Sequence, residues 1–110
     1  MDIYTTKPVE EVDKSRFKEL LSGKEIIISN HALDHLSEHQ RKIFKDQELI
    51  NILINETPRK IYLQQNGRYA TYHRKPDGYR KLIFEVQNNK IIIVSFMDTI
   101  ELPKIRFENE

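Results

Sequence analysis

Several features are absent or scarce in this 110-residue sequence. It contains no cysteine, only three glycines and only four prolines. The lack of cysteine excludes disulfide bonds, thiolate metal sites and thiol nucleophiles. The scarcity of glycine and proline argues against long flexible linkers. A chain without cysteine suits a reducing compartment, and we predict a cytoplasmic location.

Long hydrophobic segments and common catalytic motifs are also missing. The longest apolar run covers residues 91–94, far too short to span a bilayer. The polar, acidic N-terminus does not resemble a signal sequence. There is no glycine-rich phosphate loop and no serine nucleophile elbow, so nucleotide hydrolysis and acyl transfer are unsupported. We expect one domain over 1–110, comprising an extension (1–25), a core (26–98) and a tail (99–110), without membrane contact.

The net charge of +1 conceals an uneven distribution of basic residues. Residues 1–58 carry 8 Lys/Arg and 11 Asp/Glu, and residues 85–110 carry 3 and 5. Residues 59–84 carry seven basic residues and a single acid, Asp77. Such a basic block favours an anionic partner, and nucleic acid is the default candidate. The alternative is a solvated hairpin face whose Lys and Arg side chains discourage pairing between sheet edges.

Capping residues and apolar spacing divide the first half of the chain into short elements. Pro8 and the glutamates after it suit the first turn of a helix, and Gly23 suits the position just past its end. Three consecutive isoleucines predict a strand. Ser29 or Asn30 can cap a second helix, and Asp46 a third that ends at Pro58. The predicted elements are a helix over 8–21, a strand over 26–28, a helix from 29 or 30 to about 41, and a helix from 46 to before 58.

The second half alternates apolar and polar residues between turn signals, which predicts four antiparallel strands. The predicted turns are residues 66–67, 76–78 and 88–89. The register they impose places one apolar face towards the helices. The predicted pairs on that face are Leu63–Ala70, Ile61–Tyr72, Tyr72–Leu82, Ala70–Phe84, Phe84–Ile93 and Val86–Ile91. The predicted fold is α+β: an N-terminal helix, a short strand, two helices, then a four-stranded antiparallel meander.

On the opposite face, the predicted register sets Lys60, His73, Lys81 and Phe96 in one cross-strand row. Cleavage of RNA by its own 2′-hydroxyl needs acid and base groups, and positive charge on the phosphate. Histidine titrates near neutrality and lysine stabilises the phosphorane, so the row predicts a metal-independent site. The alternative is a histidine between two lysines that keeps the sheet soluble. Neighbouring positive groups repel one another, and this cost favours a site for an anion.

Other basic and aromatic residues extend the predicted site. The residues predicted to be catalytic are His73, Lys60, Lys81 and Arg80. Those predicted to bind substrate on the strands are Tyr62, Tyr69, Arg74, Lys75 and Tyr79. The tyrosines offer stacking surfaces for unpaired bases. For Arg74 and Arg80, the alternative is that they are exposed arginines near a turn.

Three histidines, His31, His35 and His39, recur at helical spacing with Asp34 between the first two. Two histidines one turn apart can bind zinc. The pattern is not HExxH, because Asp34 directly precedes His35 and no glutamate follows His31. We therefore predict a surface or interface here rather than a metal site, and no cofactor.

Short motifs in the first half are similar to those of a known superfamily. Ser29-Asn30-His31-Ala32, followed by Arg41-Lys42-Ile43, matches a Ser-x-His-Ala start and a later Arg-x-Ile step. On these residues the segment 26–98 resembles the RelE/ParE superfamily of bacterial toxins, and within it the BrnT-type small proteins. The spacing from His31 to Arg41 is longer than the family's, and the tail after Asp98 lacks a clear terminal catalytic Tyr or Arg.

The resemblance implies an mRNA endoribonuclease, acting alone or on the ribosome, that a cognate antitoxin protein neutralises. It also implies that His31 and Arg41 belong to the substrate-binding surface. Two alternatives stay open: a nucleic-acid-binding module without catalysis, and a protein-interaction element such as an immunity protein or a phage inhibitor. The acidic flanks of the basic block favour the protein-interaction element over a general nucleic-acid binder. Homodimerisation through the apolar last strand also stays open.

Overall fold

The computed structural model describes residues 7–29 and 46–105 of the chain. These residues form two helices and six strands. In chain order they are β1 (Pro8–Glu11), α1 (Lys14–Leu21), β2 (Glu25–Ile28), α2 (Asp46–Asn55), β3 (Lys60–Gln64), β4 (Tyr69–Lys75), β5 (Gly78–Gln87) and β6 (Lys90–Thr99). Neither described helix is both long enough and apolar enough to cross a membrane.

The strands form one mixed sheet in the order β1-β3-β4-β5-β6-β2. All neighbours are antiparallel except β2, which lies parallel to β6. The predicted fold, an N-terminal helix and then a four-stranded antiparallel meander, is therefore wrong. Strands β3 to β6 do follow one another across the sheet, but strands from the first 28 residues flank them on both edges. The long connection through α2 permits the parallel pairing, which a tight turn does not.

The first strand occupies residues where the sequence predicted a helix. Strand β1 pairs with β3, and the Val12 amide continues this contact by donating to the Ile61 carbonyl at 2.8 Å. Asp13 has extended backbone, and its carboxylate accepts a hydrogen bond from the Arg16 amide at 2.8 Å. An aspartate N-cap satisfies a free amide of the first turn. Helix α1 therefore begins at Lys14 and not at Pro8.

The β3–β4 hairpin has a three-residue loop, residues 65–67, in place of the predicted two-residue turn. The Gln64 amide donates to the Arg68 carbonyl at 2.8 Å, which closes the loop. Gly67 has a φ of +85°, the left-handed conformation common at this position of a three-residue loop. The strands therefore pair Tyr62 with Ala70, one residue away from the predicted register.

The β4–β5 hairpin differs in the opposite sense, because a two-residue loop replaces the predicted three-residue turn. Lys75 lies opposite Gly78, and Tyr72 lies opposite Lys81 rather than Leu82. The predicted pairs between β5 and β6, Phe84–Ile93 and Val86–Ile91, are confirmed. Beyond them a β-bulge at Val94 shifts the register.

Apolar side chains pack on both sides of the sheet. On the side that α1 and α2 cover, the buried core consists of Val12, Phe17, Leu49, Leu53, Ile61, Leu82, Phe84, Ile91, Ile93 and Phe96. On the other side, Tyr62, Ala70 and Tyr72 are buried, and Leu102 and Ile105 from the segment after β6 pack against them. We call these the helix side and the tail side of the sheet.

Candidate functional site

The predicted site residues are divided between the two sides of the sheet. Side chains alternate along a strand, so a shift of β4 by one residue turns all its side chains over. Those on the helix side are Tyr69, His73, Lys75 and Arg80; those on the tail side are Lys60, Tyr62, Arg74, Tyr79 and Lys81. The predicted row of Lys60, His73, Lys81 and Phe96 is therefore wrong. Tyr72 takes the place of His73 in that row, and Met97 that of Phe96.

His73 is buried on the helix side, with 1% of its surface exposed. Its Nε2 lies 2.9 Å from Thr71 Oγ1, and its Nδ1 has no hydrogen-bond partner among the described residues. Burial lowers the pKa of His73 to about 4, so the imidazole is neutral near pH 7. A neutral, enclosed imidazole does not reach a substrate on the tail side. Its position gives the predicted acid–base role no support.

On the helix side, Asp98 neutralises much of the positive charge of Arg80 and Lys75. Arg80 Nε donates to Asp98 Oδ1 at 2.9 Å, and Lys75 Nζ lies 3.4 Å from Asp98 Oδ2. Lys75 also pairs with Asp77 at 2.8 Å. The hydrogen bond from Arg80 lowers the pKa of the Asp98 carboxyl, which keeps that carboxyl ionised. These two cations are therefore less available to an external anion than cations without acidic partners.

On the tail side, basic and aromatic residues form a continuous surface at one end of the sheet. Lys60, Tyr72, Lys81 and Met97 make one cross-strand row, and the next row contains Arg74 and Tyr79. We call these six residues the basic face. Two strand spacings separate Lys60 from Lys81, which corresponds to about 10 Å between their backbones. The predicted register was wrong by one residue between β3 and β4 and by one residue between β4 and β5. These two shifts cancel, so Lys60 and Lys81 share a row as predicted.

Lys81 is the cation of the basic face whose positive charge is least offset by neighbouring groups. Its Nζ lies 5.5 Å from the centroid of the Tyr72 ring, a cation–π contact. Burial lowers the pKa of the Lys81 ammonium from its ordinary value, and no carboxylate among the described residues pairs with it. Burial, together with the neighbouring Tyr62, raises the pKa of Tyr72 to about 12, so the phenol stays neutral. An anion arriving at Lys81 would supply the missing negative charge.

Arg74 is held in place by its neighbour Tyr79. Its Nη1 donates to the Tyr79 hydroxyl at 3.2 Å, and its guanidinium carbon lies 5.4 Å from the centroid of the same ring. A guanidinium has five N–H donors in a planar fork, so most of them remain for another acceptor. Arg74 is exposed, and this arrangement suits contact with a phosphate.

Lys60 is the one cation of the basic face that pairs with a described carboxylate. Its Nζ lies 3.3 Å from Glu11 Oε1, and both side chains are more than two-fifths exposed. Exposed pairs of this kind contribute little energy and exchange readily with solvent or ligand. The basic face thus carries three cations against one paired carboxylate.

Two of the predicted stacking tyrosines are covered. Tyr62 is 3% exposed because Leu102 and Ile105 pack over its cluster. Tyr69 stacks on Phe84 on the helix side, with ring centroids 5.4 Å apart. Tyr79 is half-buried on the tail side, and Met97 beside Lys81 is 46% exposed. Of the predicted tyrosines, Tyr79 has the position that suits contact with a base.

The predicted residues His31 and Arg41 lie outside the described residues, as do His35 and His39. Within 7–29 and 46–105, no three His, Asp or Glu side chains are grouped so that they could hold a metal ion. The role of His31 and Arg41 in substrate binding, which the resemblance implied, stays a prediction.

Sequence reasoning did not identify Met97 as a member of the site, and its register placed Tyr72 on the face towards the helices. It also did not predict that the segment after β6 covers Tyr62. The apolar residues Leu102 and Ile105 on either side of Pro103 were the available signal. An apolar pair just after a final strand is typical of a segment that returns over the sheet. No family model, curated protein or solved structure matches the chain.

Proposed function

We propose that this protein binds single-stranded RNA, in the cytoplasm, through the basic face of its sheet. The observation that carries the proposal is the charge of that face: Lys60, Arg74 and Lys81 stand together, and only Lys60 pairs with a described carboxylate. Neighbouring cations repel one another, and Lys81 is partly desolvated as well. Phosphates bound along the face would relieve both costs.

The side chains around these cations favour an unpaired strand over a duplex. Arg74 and Tyr79 form a cation–π pair whose outer surfaces can stack on a base, and Met97 adds exposed apolar surface. Unpaired bases are bound through stacking on aromatic rings and guanidinium planes, with basic groups along the backbone. The neighbouring rows of the face place base contacts and phosphate contacts side by side.

The proposal concerns binding without cleavage, because His73 lies on the other side of the sheet from Lys60 and Lys81. Cleavage by a toxin-like enzyme, action on the ribosome and neutralisation by an antitoxin stay predictions from the resemblance. Cleavage, alone or on the ribosome, predicts a loss of RNA integrity and of growth that simple binding does not, and an antitoxin is expected to prevent that loss. The test of binding therefore includes a test for cleavage.

The test is fluorescence anisotropy with a labelled RNA of about 12 nucleotides. Removal of one phosphate-binding cation, in Lys81→Ala or Arg74→Ala, is expected to weaken binding roughly five- to ten-fold. Lys18→Ala, which removes an exposed lysine from α1, is the matched control and is expected to bind like the wild type. With three phosphate contacts, the slope of log affinity against log salt is expected to be about −2.

Absence of binding at low salt, or equal effects of Lys81→Ala and Lys18→Ala, would show that the basic face is not the RNA site. A DNA strand of the same sequence, run in parallel, measures the preference for RNA. The same samples are then resolved on a denaturing gel. Fragments that appear with wild-type protein and vanish with His73→Ala would replace the binding proposal with the predicted endoribonuclease.

A further inference from the structure

A pocket of about 300 Å³ opens beside the basic face, where β1 meets α1 and the start of β3. Lys60 lines the pocket and also belongs to the basic face, so the two surfaces adjoin at this residue. The volume is at the lower end of the range for small-ligand sites. One nucleotide of a strand lying on the face could enter this pocket.

The inner wall of the pocket is apolar. Val12 and Ile61 are 3% and 2% exposed, and Pro58 is buried beside them. The hydrogen bond from the Val12 amide to the Ile61 carbonyl fixes this wall, because it ties the end of β1 to β3. These buried side chains present only a small apolar area at the floor of the pocket, so most contacts with a bound base would come from the exposed rim.

The rim of the pocket carries cations. Lys14, Arg59 and Lys60 line it, and the Arg59 backbone is anchored by a 2.7 Å hydrogen bond from its amide to the Tyr72 carbonyl. Arg59 is exposed, and no carboxylate among the described residues pairs with its guanidinium. A guanidinium next to two ammonium groups suits a phosphate group.

Two carboxylates complete the rim. Glu11 uses Oε1 to pair with Lys60, and Asp13 uses Oδ1 to accept from the Arg16 amide. Each carboxylate therefore keeps a second oxygen that these contacts leave unused. Carboxylates accept hydrogen bonds from amino groups on bases, as they do from the exocyclic amine of cytosine. Uracil carries a carbonyl oxygen at that position, and two acceptors facing each other repel.

We propose that this pocket holds one unpaired nucleotide whose base carries an amino group. The base enters the pocket above Val12 and Pro58, its amino group donates to Asp13, and its phosphate contacts Arg59. This inference rests on the proposed function, since the nucleotide is part of the strand bound on the basic face. The pocket adds a preference for certain bases to a surface that otherwise contacts only phosphates and the faces of bases.

The test is a titration of ¹⁵N-labelled protein with cytidine 5′-monophosphate, uridine 5′-monophosphate and ribose 5-phosphate, followed by amide chemical shifts. The cytidine nucleotide is expected to shift the amides of Val12, Lys14 and Arg59, and to bind at least several-fold more tightly than the other two compounds. Arg59→Ala is expected to weaken binding of all three. Asp13→Asn keeps a good N-cap, so α1 stays intact, and is expected to remove the preference for cytidine. Lys90→Ala, at the β5–β6 turn, is the control.

Shifts that are centred elsewhere, or equal affinity for the cytidine and uridine compounds, would overturn the pocket assignment. Ribose 5-phosphate binding as tightly as the cytidine nucleotide would also overturn it, because the site would then be one for phosphate alone. Any of these three outcomes would leave the proposal of RNA binding by the basic face unaffected, provided that Lys81→Ala still weakens RNA binding. Cytidine nucleotide in the pocket without any binding of RNA would overturn the proposed function, and with it the role of the pocket in holding part of a strand.

Discussion

At the scale of single residues, His73 couples the stability of the protein to pH. Its pKa is lowered to about 4 by burial, whereas an unfolded histidine titrates near 6.5. The unfolded chain therefore takes up this proton at a higher pH than the folded chain. Its contribution to the free energy of unfolding is complete above about pH 6.5 and declines as the pH falls towards 4, by roughly 3 kcal/mol in total.

We expect His73→Gln to remove this component, since glutamine does not titrate. Urea unfolding between about pH 7 and pH 4.5 measures the effect in both proteins. The wild type should lose more stability than the variant over this interval. Equal losses would mean that His73 is not neutral and buried in the folded protein. The ion pairs of Asp98 do not interfere, because its lowered pKa places their loss below the ordinary carboxyl value of 3.8.

Gly78 is a second residue at this scale, and its position requires glycine. Its φ is +147°, and a Cβ at this position would collide with the Thr99 carbonyl oxygen across the β5–β6 pair. We expect Gly78→Ala to lower the free energy of unfolding by about 2 to 4 kcal/mol. Gly67→Ala is the matched control: φ is +85°, but the space around it is open, so a cost of about 1 kcal/mol is expected. Chemical denaturation of the two variants gives the comparison.

At the scale of elements, the length of two loops decided which sides the predicted site residues occupy. Asn66-Gly67 is a strong signal for a two-residue turn, but the loop also takes in Gln65. The Asn66 side chain accepts from the Arg68 amide at 2.9 Å, which stabilises the longer loop. Loop length depends on such local hydrogen bonds, and residue preferences alone do not distinguish two residues from three.

The strand positions were more predictable than the register. Alternation of apolar residues placed β3 to β6 near their observed limits, and the asparagine turn before β6 gave the correct pairs beside it. The bulge at Val94 had no signal, because valine is ordinary within a strand. The start of α1 was predicted at the wrong residue because Pro8 and the glutamates are compatible with a helix, and only pairing with β3 makes that segment extended.

The segment after β6 is an element without regular structure that nevertheless covers part of the sheet. Leu102 and Ile105 pack against the cluster of Tyr62, Ala70 and Tyr72. We expect the double variant Leu102→Ala and Ile105→Ala to lower the free energy of unfolding by roughly 2 to 3 kcal/mol, since both side chains are only partly buried. Ile100→Ala is the control, because Ile100 is 84% exposed and should cost less than about 0.5 kcal/mol.

Urea unfolding measures the stability of both variants, and NMR signals of the Tyr62 and Tyr72 ring protons report on the two covered rings. An equal effect of the double variant and of Ile100→Ala would mean that the segment does not pack on the sheet in solution. A gain in solvent exposure of Tyr62 and Tyr72 without loss of stability would mean that the contact forms but contributes little.

At the scale of the whole molecule, both outer strands of the sheet come from the first 28 residues. Strand β1 covers the edge of β3, and β2 covers the edge of β6. A fragment of residues 46–105 would leave both of these edges unpaired, with the apolar residues of β6 next to one of them. Exposed strand edges of this kind pair with other chains.

We therefore expect the fragment to self-associate or precipitate at concentrations at which the full chain does not. Analytical ultracentrifugation of the two proteins at matched concentrations measures this. A monomeric, folded fragment would show that β3 to β6 are sufficient, and that β1 and β2 add little to the stability of the sheet.

The parallel pairing of β2 with β6 also has a consequence for the time course of folding. It joins residue 26 to residue 91, so the contact carries the entropic cost of closing a long loop. The three hairpins from β3 to β6 close over short distances along the chain and can form early. During synthesis, β1 and β2 emerge first. The partner of β1 is β3, and the partner of β2 is β6, the last strand to be made. The slow event is then the insertion of these first two strands along both edges of an already formed sheet, which is the behaviour expected of a fold of high contact order.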